Sequence, residues 1–257
     1  MNFWRFGKQE DKSSIDRPPP SVGADRRVYA IGDVHGRLDL LEELLRLITL
    51  DNRARGQMAP NLVLLGDLID RGPASREIVE RVMRLTADDD AVRCVKGNHE
   101  ELFILAARGD ERILPTFRRA GGAQTLASYG LAPLLFDTMT DGDLASWMLN
   151  HVPRDHVDFL DALSDSVAIG DYLFVHAGIR PGVPIAQQKG ADLRWVRRLF
   201  LDHEGAHPMM IVHGHSISPE VDERPNRIGI DTGAYFSGRL TAIGLQDTER
   251  WFLQTGT

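Results

Sequence analysis

Val28-Tyr-Ala-Ile-Gly-Asp-Val-His-Gly36 is the stretch that decides the fold. Four apolar or aromatic residues form a run of strand length, and Gly32 stops it. A carboxylate, Asp33, and an imidazole, His35, follow two positions apart between glycines. Glycine lets the backbone turn sharply and approach a ligand closely. Taken alone, the turn could equally cap the helix that follows, because Asp and Gly are common in turns.

The same sentence is written twice more downstream. Leu38 to Ile48 carries apolar residues at helical spacing. A second apolar strand, Leu62-Val-Leu-Leu65, runs into Gly66-Asp-Leu-Ile-Asp-Arg-Gly72, and Ser75 to Leu85 reads as an amphipathic helix with Ser75 or the preceding turn as its cap. Val92 to Val95 runs into Gly97-Asn-His-Glu100, followed by a helix from Glu100 to Arg108. Strand, motif and helix thus alternate three times. This β-α-β-α-β-α series predicts an α/β protein with a sheet and helices packed on it. Each motif falls at the C-terminal end of a strand, the edge where open α/β sheets place their ligands.

Beyond the third helix the pattern changes. Residues 110–165 read as mostly helical, broken at Pro115, Gly121-Gly122, Gly130, Pro133 and Pro153, and are expected to form a helical cap between two halves of the core. The second half is β-rich, with strands expected at 166–169, 172–175, 209–212, 227–230, 240–245 and 251–253 and a tight turn at Gly170-Asp171. Residues 1–26 read as a flexible tail, with Pro18-Pro19-Pro20 breaking any pattern and Phe3, Trp4 and Phe6 as its apolar exception. Residues 27–257 are expected to form a single domain.

Composition narrows the classes. Of 257 residues, 42% are hydrophobic and 26% charged, which is ordinary globular usage. The net charge of -7 lacks the positive field of a non-specific nucleic-acid binder, so no nucleic-acid partner is expected. The single cysteine, Cys94, rules out a disulfide framework within the chain and a cysteine-based zinc site; in its apolar run it reads as a small buried hydrophobe. No apolar run is long enough to span a bilayer, and the N-terminus shows no signal-like stretch. No membrane partner is expected, and the default compartment is the cytoplasm.

The strand ends together offer Asp33, His35, Asp67, Asp70, Asn98, His99, His176, His213 and His215. These are carboxylates, imidazoles and an amide oxygen, a set suited to divalent manganese, iron or zinc. There are too many donors for one ion. Two ions, roughly 3.5–4 Å apart and sharing a carboxylate, would use them. A structural account of five such motifs, each at a strand end, is far less economical.

In order, Gly32-Asp-Val-His-Gly36, Gly66-Asp-Leu-Ile-Asp-Arg-Gly72, Gly97-Asn-His-Glu100, His176-Ala-Gly178 and Gly214-His215 resemble the metal-dependent phosphoprotein phosphatase family of the calcineurin-like metallophosphoesterases. The short prokaryotic and bacteriophage lambda-type members look most similar. The resemblance covers about residues 27–246, including Ile230-Asp-Thr-Gly233. It implies a β-sandwich-like pair of mixed sheets flanked by helices, a four-layer fold that some schemes class as α+β. It also implies Asp33, His35 and Asp67 on a first metal, and Asp67, Asn98, His176 and His215 on a second, with manganese the expected ion. His213 rivals His215, since residues two apart on a strand share a face. By the same resemblance His99 is the catalytic acid, Asp70 holds it, and Arg71 and Arg197 bind phosphate. Arg194 and Arg198 rival Arg197, and Arg180 is within reach. The family's active-site tyrosine matches Phe236, with Tyr235 beside it, so neither receives a role.

The implied reaction is direct hydrolysis of a phosphomonoester by hydroxide held between the metals. The expected substrate is a phosphoserine or phosphothreonine protein, with dual specificity open. Symmetrical diadenosine tetraphosphate hydrolases and small-molecule phosphatases are the alternative. The dinucleotide enzymes usually carry a longer insert before the last histidine, whereas only 34 residues separate Gly178 from His213. A non-catalytic binding protein is disfavoured because acid, ligands and arginines are all present. Surface or capping roles are expected for His151, His156, His203 and His207.

Overall fold

The structure, a computed structural model, describes residues 18–56 and 58–256. The opening stretch forms β1 (Arg27–Ile31), fully buried, followed by α1 (Leu38–Ala54). β2 (Asn61–Leu64), α2 (Ser75–Asp88), β3 (Val92–Cys94) and α3 (Asn98–Ala107) complete the alternation. β1, β2 and β3 pair in parallel, as strand-helix-strand connections require. The helical stretch expected at 110–165 contains α4 (Leu114–Ala120), α5 (Gly122–Ser128), α6 (Pro133–Thr138), α7 (Asp141–His151) and α8 (Arg154–Ala162).

The second half supplies β4 (Ser166–Ile169), β5 (Tyr172–Val175), the short helices α9 (Gly190–Trp195) and α10 (Arg198–Leu201), then β6 (Met210–His213), β7 (Asp222–Glu223), β8 (Arg227–Gly229), the one-turn α11 (Ala234–Ser237), β9 (Thr241–Gln246) and β10 (Glu249–Gln254). Two mixed five-stranded sheets result, ordered β10-β9-β1-β2-β3 and β4-β5-β6-β8-β7. The expected turn at Gly170-Asp171 closes the β4–β5 hairpin, with Ile169 opposite Tyr172 and Gly170 at φ +57°. β7 was not anticipated; two residues give no periodicity to read.

Three apolar clusters show why the sheets stack. Val28, Ala30, Val63 and Leu65 of the first sheet and its β2 exit meet Val167, Phe174, Val212 and Ile228 of the second. The other face of the first sheet (Tyr29, Ile31, Leu62, Leu64) packs on the helices α1 to α8. The other face of the second (Leu173, Val175, Ile211) packs on Leu193 and Phe200 of α9 and α10. The layers are helices, sheet, sheet, helices, as the resemblance implied. Strands buried on both faces explain the near-continuous apolar runs at 28–31 and 172–175.

Residues 110–165 are helical as expected, and Leu114, Phe117, Leu126, Leu144, Met148 and Leu160 share one core with α1 to α3. The part of the expected tail from Pro18 to Arg26 is docked. Val22 is fully buried, its N–H donates to Asp247 O, and Ser21 exchanges hydrogen bonds with Asp171. Phe3, Trp4 and Phe6 lie outside the described residues. Among the described residues, no helix is long and apolar enough to cross a membrane.

Candidate metal centre

The parallel strands deliver their motifs to one edge, and the backbone there is strained. Among the described residues six non-glycine residues have positive φ, and five are His35, Asp67, Asp70, Arg71 and His215. The left-handed region is costly for a side-chain-bearing residue, and such outliers gather where surrounding structure over-determines them. The glycines permit the close approach this needs. A Cβ on Gly36 would collide with Gly72, and one on Gly72 with His35 O and Gly36, so the first two motif loops touch backbone to backbone.

Asp67 is the hub. Its Oδ2 lies 3.6 Å from His35 Nε2, 3.7 Å from His99 Nε2 and 3.4 Å from His176 Nε2. Two groups of mutually close donors share it: His35, Asp67 and His99, and Asp67, His176 and His215. Asn98 joins the second group, with Oδ1 2.9 Å from His176 Nε2. All these residues are buried. Asp33 sits beside the groups rather than within them. Both its oxygens accept from His215 N–H, at 3.2 and 3.0 Å.

The ring orientations are set from behind. His35 Nδ1 lies 2.8 Å from Ile69 O and His176 Nδ1 2.8 Å from Leu65 O. A carbonyl only accepts, so each Nδ1 carries a proton and each Nε2 is aimed at the hub. Partners of this kind orient metal-binding histidines. Burial, opposed only in part by Asp67, holds His35 down at about 3, and burial with His176 nearby holds His215 down to about 2. Both rings are therefore neutral, the form that binds metal.

Asp67 is held well below the usual carboxylate range: burial opposes this, but His176 and His99 outweigh it. Asp33 is pushed well above that range by burial and then by Asp231 and Asp67. Buried carboxylates are thus crowded together with too little positive charge. The oxygen and nitrogen donors, the absence of thiolate and the unpartnered His215 Nε2 all fit divalent cations at this place.

His99 belongs to a different arrangement. Its Nδ1 is 2.6 Å from Asp70 Oδ2. Burial opposes its charge, yet Asp67 and the Asp70 hydrogen bond prevail and raise it to about 9. Asp70 is in turn fixed by Thr125, whose Oγ1 donates to Asp70 Oδ1 at 2.6 Å and accepts from Asp70 N at 2.9 Å. Ser75 Oγ accepts from the same N–H at 3.1 Å. Ser75 therefore serves the Asp70 loop and is no helix cap; Ala74 holds that position, without a side-chain bond. Thr125 had no motif to mark it, because it lies 55 residues along the chain in α5.

Arg71 projects into the middle. Nη1 is 2.8 Å from His35 Nε2, Nη2 is 3.1 Å from His99 Nε2, and the guanidinium lies 4.7 Å over the Tyr235 ring. Tyr235 also meets His35 edge-on at 5.5 Å. It thus borders the centre, although the sequence reading left it without a role, while Phe236 turns outward and is 63% exposed.

Glu100 was quoted only as part of its motif, and it is the clamp between loops. Its carboxylate accepts from Asp67 N (2.9 Å), Leu68 N (2.8 Å) and Gly97 N (2.8 Å). Its spacing after Gly97 was the available signal, since an acidic residue at the third helical position caps a helix start.

The rival assignments separate. β6 ends at His213, whose ring lies edge-on to Phe200 at 5.1 Å, away from both donor groups. The alternation rule fails because His215 lies beyond the strand at φ +61°. Arg194 is tied to Glu101 and Asp165, and Arg180 to Asp192. Arg197 is exposed, and its charge helps depress His215, which places it near the second group. His156 and His207 are buried rather than superficial; His156 Nδ1 is 2.9 Å from Tyr129 Oη. Cys94 is buried as expected.

A four-layer α/β chain with this centre at its strand ends is a metallophosphoesterase. Residues 26–238 match the model of the calcineurin-like phosphoesterase family, and the chain belongs to that family. Among curated proteins it is 32% identical over 155 residues to the symmetrical bis(5'-nucleosyl)-tetraphosphatase of Delftia acidovorans, covering 60% of this chain and 45% of that protein. The corresponding protein of Klebsiella pneumoniae is 34% identical over 170 residues, covering 65% and 49%. The chain spans just under half the length of these relatives. Among solved structures, a protein provisionally named a diadenosine tetraphosphatase superposes with a TM-score of 0.61 at 22% identity, covering 90% of this chain and 95% of that one. A cold-active protein-tyrosine phosphatase of a psychrophilic Shewanella gives 0.54 at 20% identity, covering 93% and 83%. These last two likenesses concern the fold. The sequence relatives carry the dinucleotide name, not that of the lambda-type protein phosphatases the motifs first resembled.

Proposed function

We propose that this chain is a metal-dependent hydrolase that splits dinucleoside polyphosphates within their phosphate chain. The phosphoesterase part rests on one observation, the Asp67-centred donor groups with the His99–Asp70 pair beside them. The substrate class is supported by the names of the curated relatives. Protein serine/threonine phosphatase activity, the first expectation from the motifs, has only fold-level likeness behind it. The short link before the last histidine weighs against the dinucleotide reading, and the match to those relatives spans just under half of their length.

His35, Asp67 and Asp33 would hold one divalent cation, and Asp67, Asn98, His176 and His215 the other; manganese remains the proposed ion. When bound, the cations supply Lewis acidity and an activated water at neutral pH. The chain's own residues do the rest. Arg71 and Arg197 pair with phosphoryl oxygens through their forked donors and offset charge that builds there. A phosphate that draws the Arg71 guanidinium toward itself takes it away from His99 Nε2. That nitrogen can then carry a proton, which Arg71 at 3.1 Å otherwise opposes. His99, kept cationic by Asp70, gives this proton to the departing phosphate oxygen as the bridging P–O bond breaks. Thr125 and Glu100 hold Asp70 and Asp67 in register without touching substrate.

The test is a panel of diadenosine tetraphosphate, phosphoserine and phosphotyrosine peptides and p-nitrophenyl phosphate, each with added manganese. The reading expects the dinucleotide to have the highest kcat/KM and to yield two molecules of nucleoside diphosphate. A phosphopeptide preferred over the dinucleotide would overturn it.

A further inference from the structure

Nine large apolar side chains are exposed among the described residues, and four of them are close in sequence to residues at or near the centre. Trp195 and Leu199 lie two positions either side of Arg197, Ile217 lies two after His215, and Phe236 follows Tyr235. Exposed apolar side chains scattered singly need no explanation, but a group around a cluster of buried polar donors marks a ligand surface.

The two aromatic members are held in place, each beside a different donor group. Trp195 is 38% exposed, and its Nε1–H donates to Glu101 Oε2 at 2.6 Å. Glu101 is itself fixed by Arg194, at 3.1 Å from both Nε and Nη2. The ring is thus anchored to α3 through Glu101, three positions after Asn98, with Arg197 two residues on; Asn98 and Arg197 both belong to the side of Asp67, His176 and His215. Phe236 rides on α11 between Gly233 and Gly238, both at positive φ. Its ring covers the place a Cβ on Gly233 would take. It lies 5.0 Å from Tyr235, which in turn faces His35 and Arg71, so it stands on the side of His35, Asp67 and His99.

We infer that Trp195 and Phe236 are stacking platforms for the two nucleobases of the substrate, one beside each donor group. The inference rests on the dinucleotide reading above and names the residues that would make it specific. Flat aromatic rings with one exposed face bind bases by stacking, with little demand on which base is present. A phosphate chain laid across Asp67 between Arg71 and Arg197 would carry a nucleoside at each end. Two platforms, one beside each donor group, match such a molecule, and they favour cleavage near its middle. A phosphoprotein has no second aromatic group at a comparable place.

Wild type, Phe236→Ala, Trp195→Ala and the double variant are compared on diadenosine tetraphosphate and on glycerol phosphate, which has no base. Each alanine should raise KM for the dinucleotide about tenfold or more, with a smaller effect on kcat. The loss should fall at least several-fold harder on the dinucleotide than on glycerol phosphate, and Phe236→Trp should restore KM. An unmoved KM, or an equal loss on both substrates, overturns the stacking role even though the enzyme splits dinucleotides. A wild-type enzyme that ignores the dinucleotide and dephosphorylates a peptide refutes the proposed function itself, and the platforms with it.

Discussion

Replacing Asp70 by Asn tests how the centre keeps an acid at neutral pH. His99 rises from 6.5 to about 9 although its burial opposes the charge. That rise corresponds to roughly 3 kcal/mol of net preference for the protonated ring. Two carboxylates supply it, Asp67 through space and Asp70 through a 2.6 Å hydrogen bond. Cations bound at Asp67 would cancel much of its pull, leaving Asp70 as the principal support. Asparagine keeps the size and an acceptor oxygen but loses the charge, which lowers a facing histidine by about 1–3 pH units. Asp70 still keeps the ring protonated above the ordinary histidine range, so wild-type kcat should hold through neutrality and fall on an alkaline limb above it. In Asp70→Asn this alkaline limb should move down toward or below neutrality. At pH 8 kcat should drop about ten- to a hundredfold, within the range of a positioned general acid. Metal content should stay near two ions, because Asp70 lies outside both donor groups. The assay is kcat against pH from 6 to 10 with elemental analysis. An alkaline limb that does not move would refute the assignment of His99 as the acid supported by Asp70.

Other substitutions separate the remaining roles. His215→Ala should lose bound metal by elemental analysis, whereas His213→Phe, packed against Phe200, should retain it; the opposite pattern would reverse the assignment. Glu100→Gln presents an amide to three backbone donors and leaves at least one unpaired, costing about 1–3 kcal/mol. A lowered melting temperature should show this, and an unchanged Tm would deny Glu100 its clamping role. Arg197→Ala should weaken inhibition by inorganic phosphate at least tenfold while Arg198→Ala leaves it near wild type, and equal effects would remove the distinction. Gly72→Ala forces a Cβ into His35 O and Gly36 and should abolish metal binding or folding; a stable, active variant would show that the two loops are not in close contact.

The helices and most strands were legible because apolar periodicity is a local property. β4 and β5 coincide with their expected bounds, and the three opening motifs fall at strand ends as read. What could not be read was how distant strands choose partners. β1 is flanked by β2 from its own helical crossover and, on its other edge, by β9, more than two hundred residues away. That antiparallel pairing makes the sheet mixed, and no local signal encodes it. Likewise the helices expected at 110–165 share the main core, because Phe117, Leu126 and Met148 pack in one cluster with α1 to α3. Helical periodicity shows that a face is buried, but not against what.

The centre divides along the same line. The residue types at Asp33, His35, Asp67, Asn98, His176 and His215 pointed to a dinuclear oxygen-and-nitrogen site from sequence alone, since carboxylates and imidazoles after apolar strands have few other reasons to recur. Tertiary structure decided which of them meet. It turned His215 inward at φ +61° and left His213 on Phe200, where alternation alone kept them equal. It bound Arg194 and Arg180 into ion pairs and left Arg197 exposed, with its charge felt at His215. It brought Thr125 to Asp70 and Tyr235 to Arg71 across 55 and 164 positions of chain. Ligand chemistry is carried by side chains and travels with the sequence. Reach and orientation depend on where distant backbone segments pack, and only the folded chain supplies that.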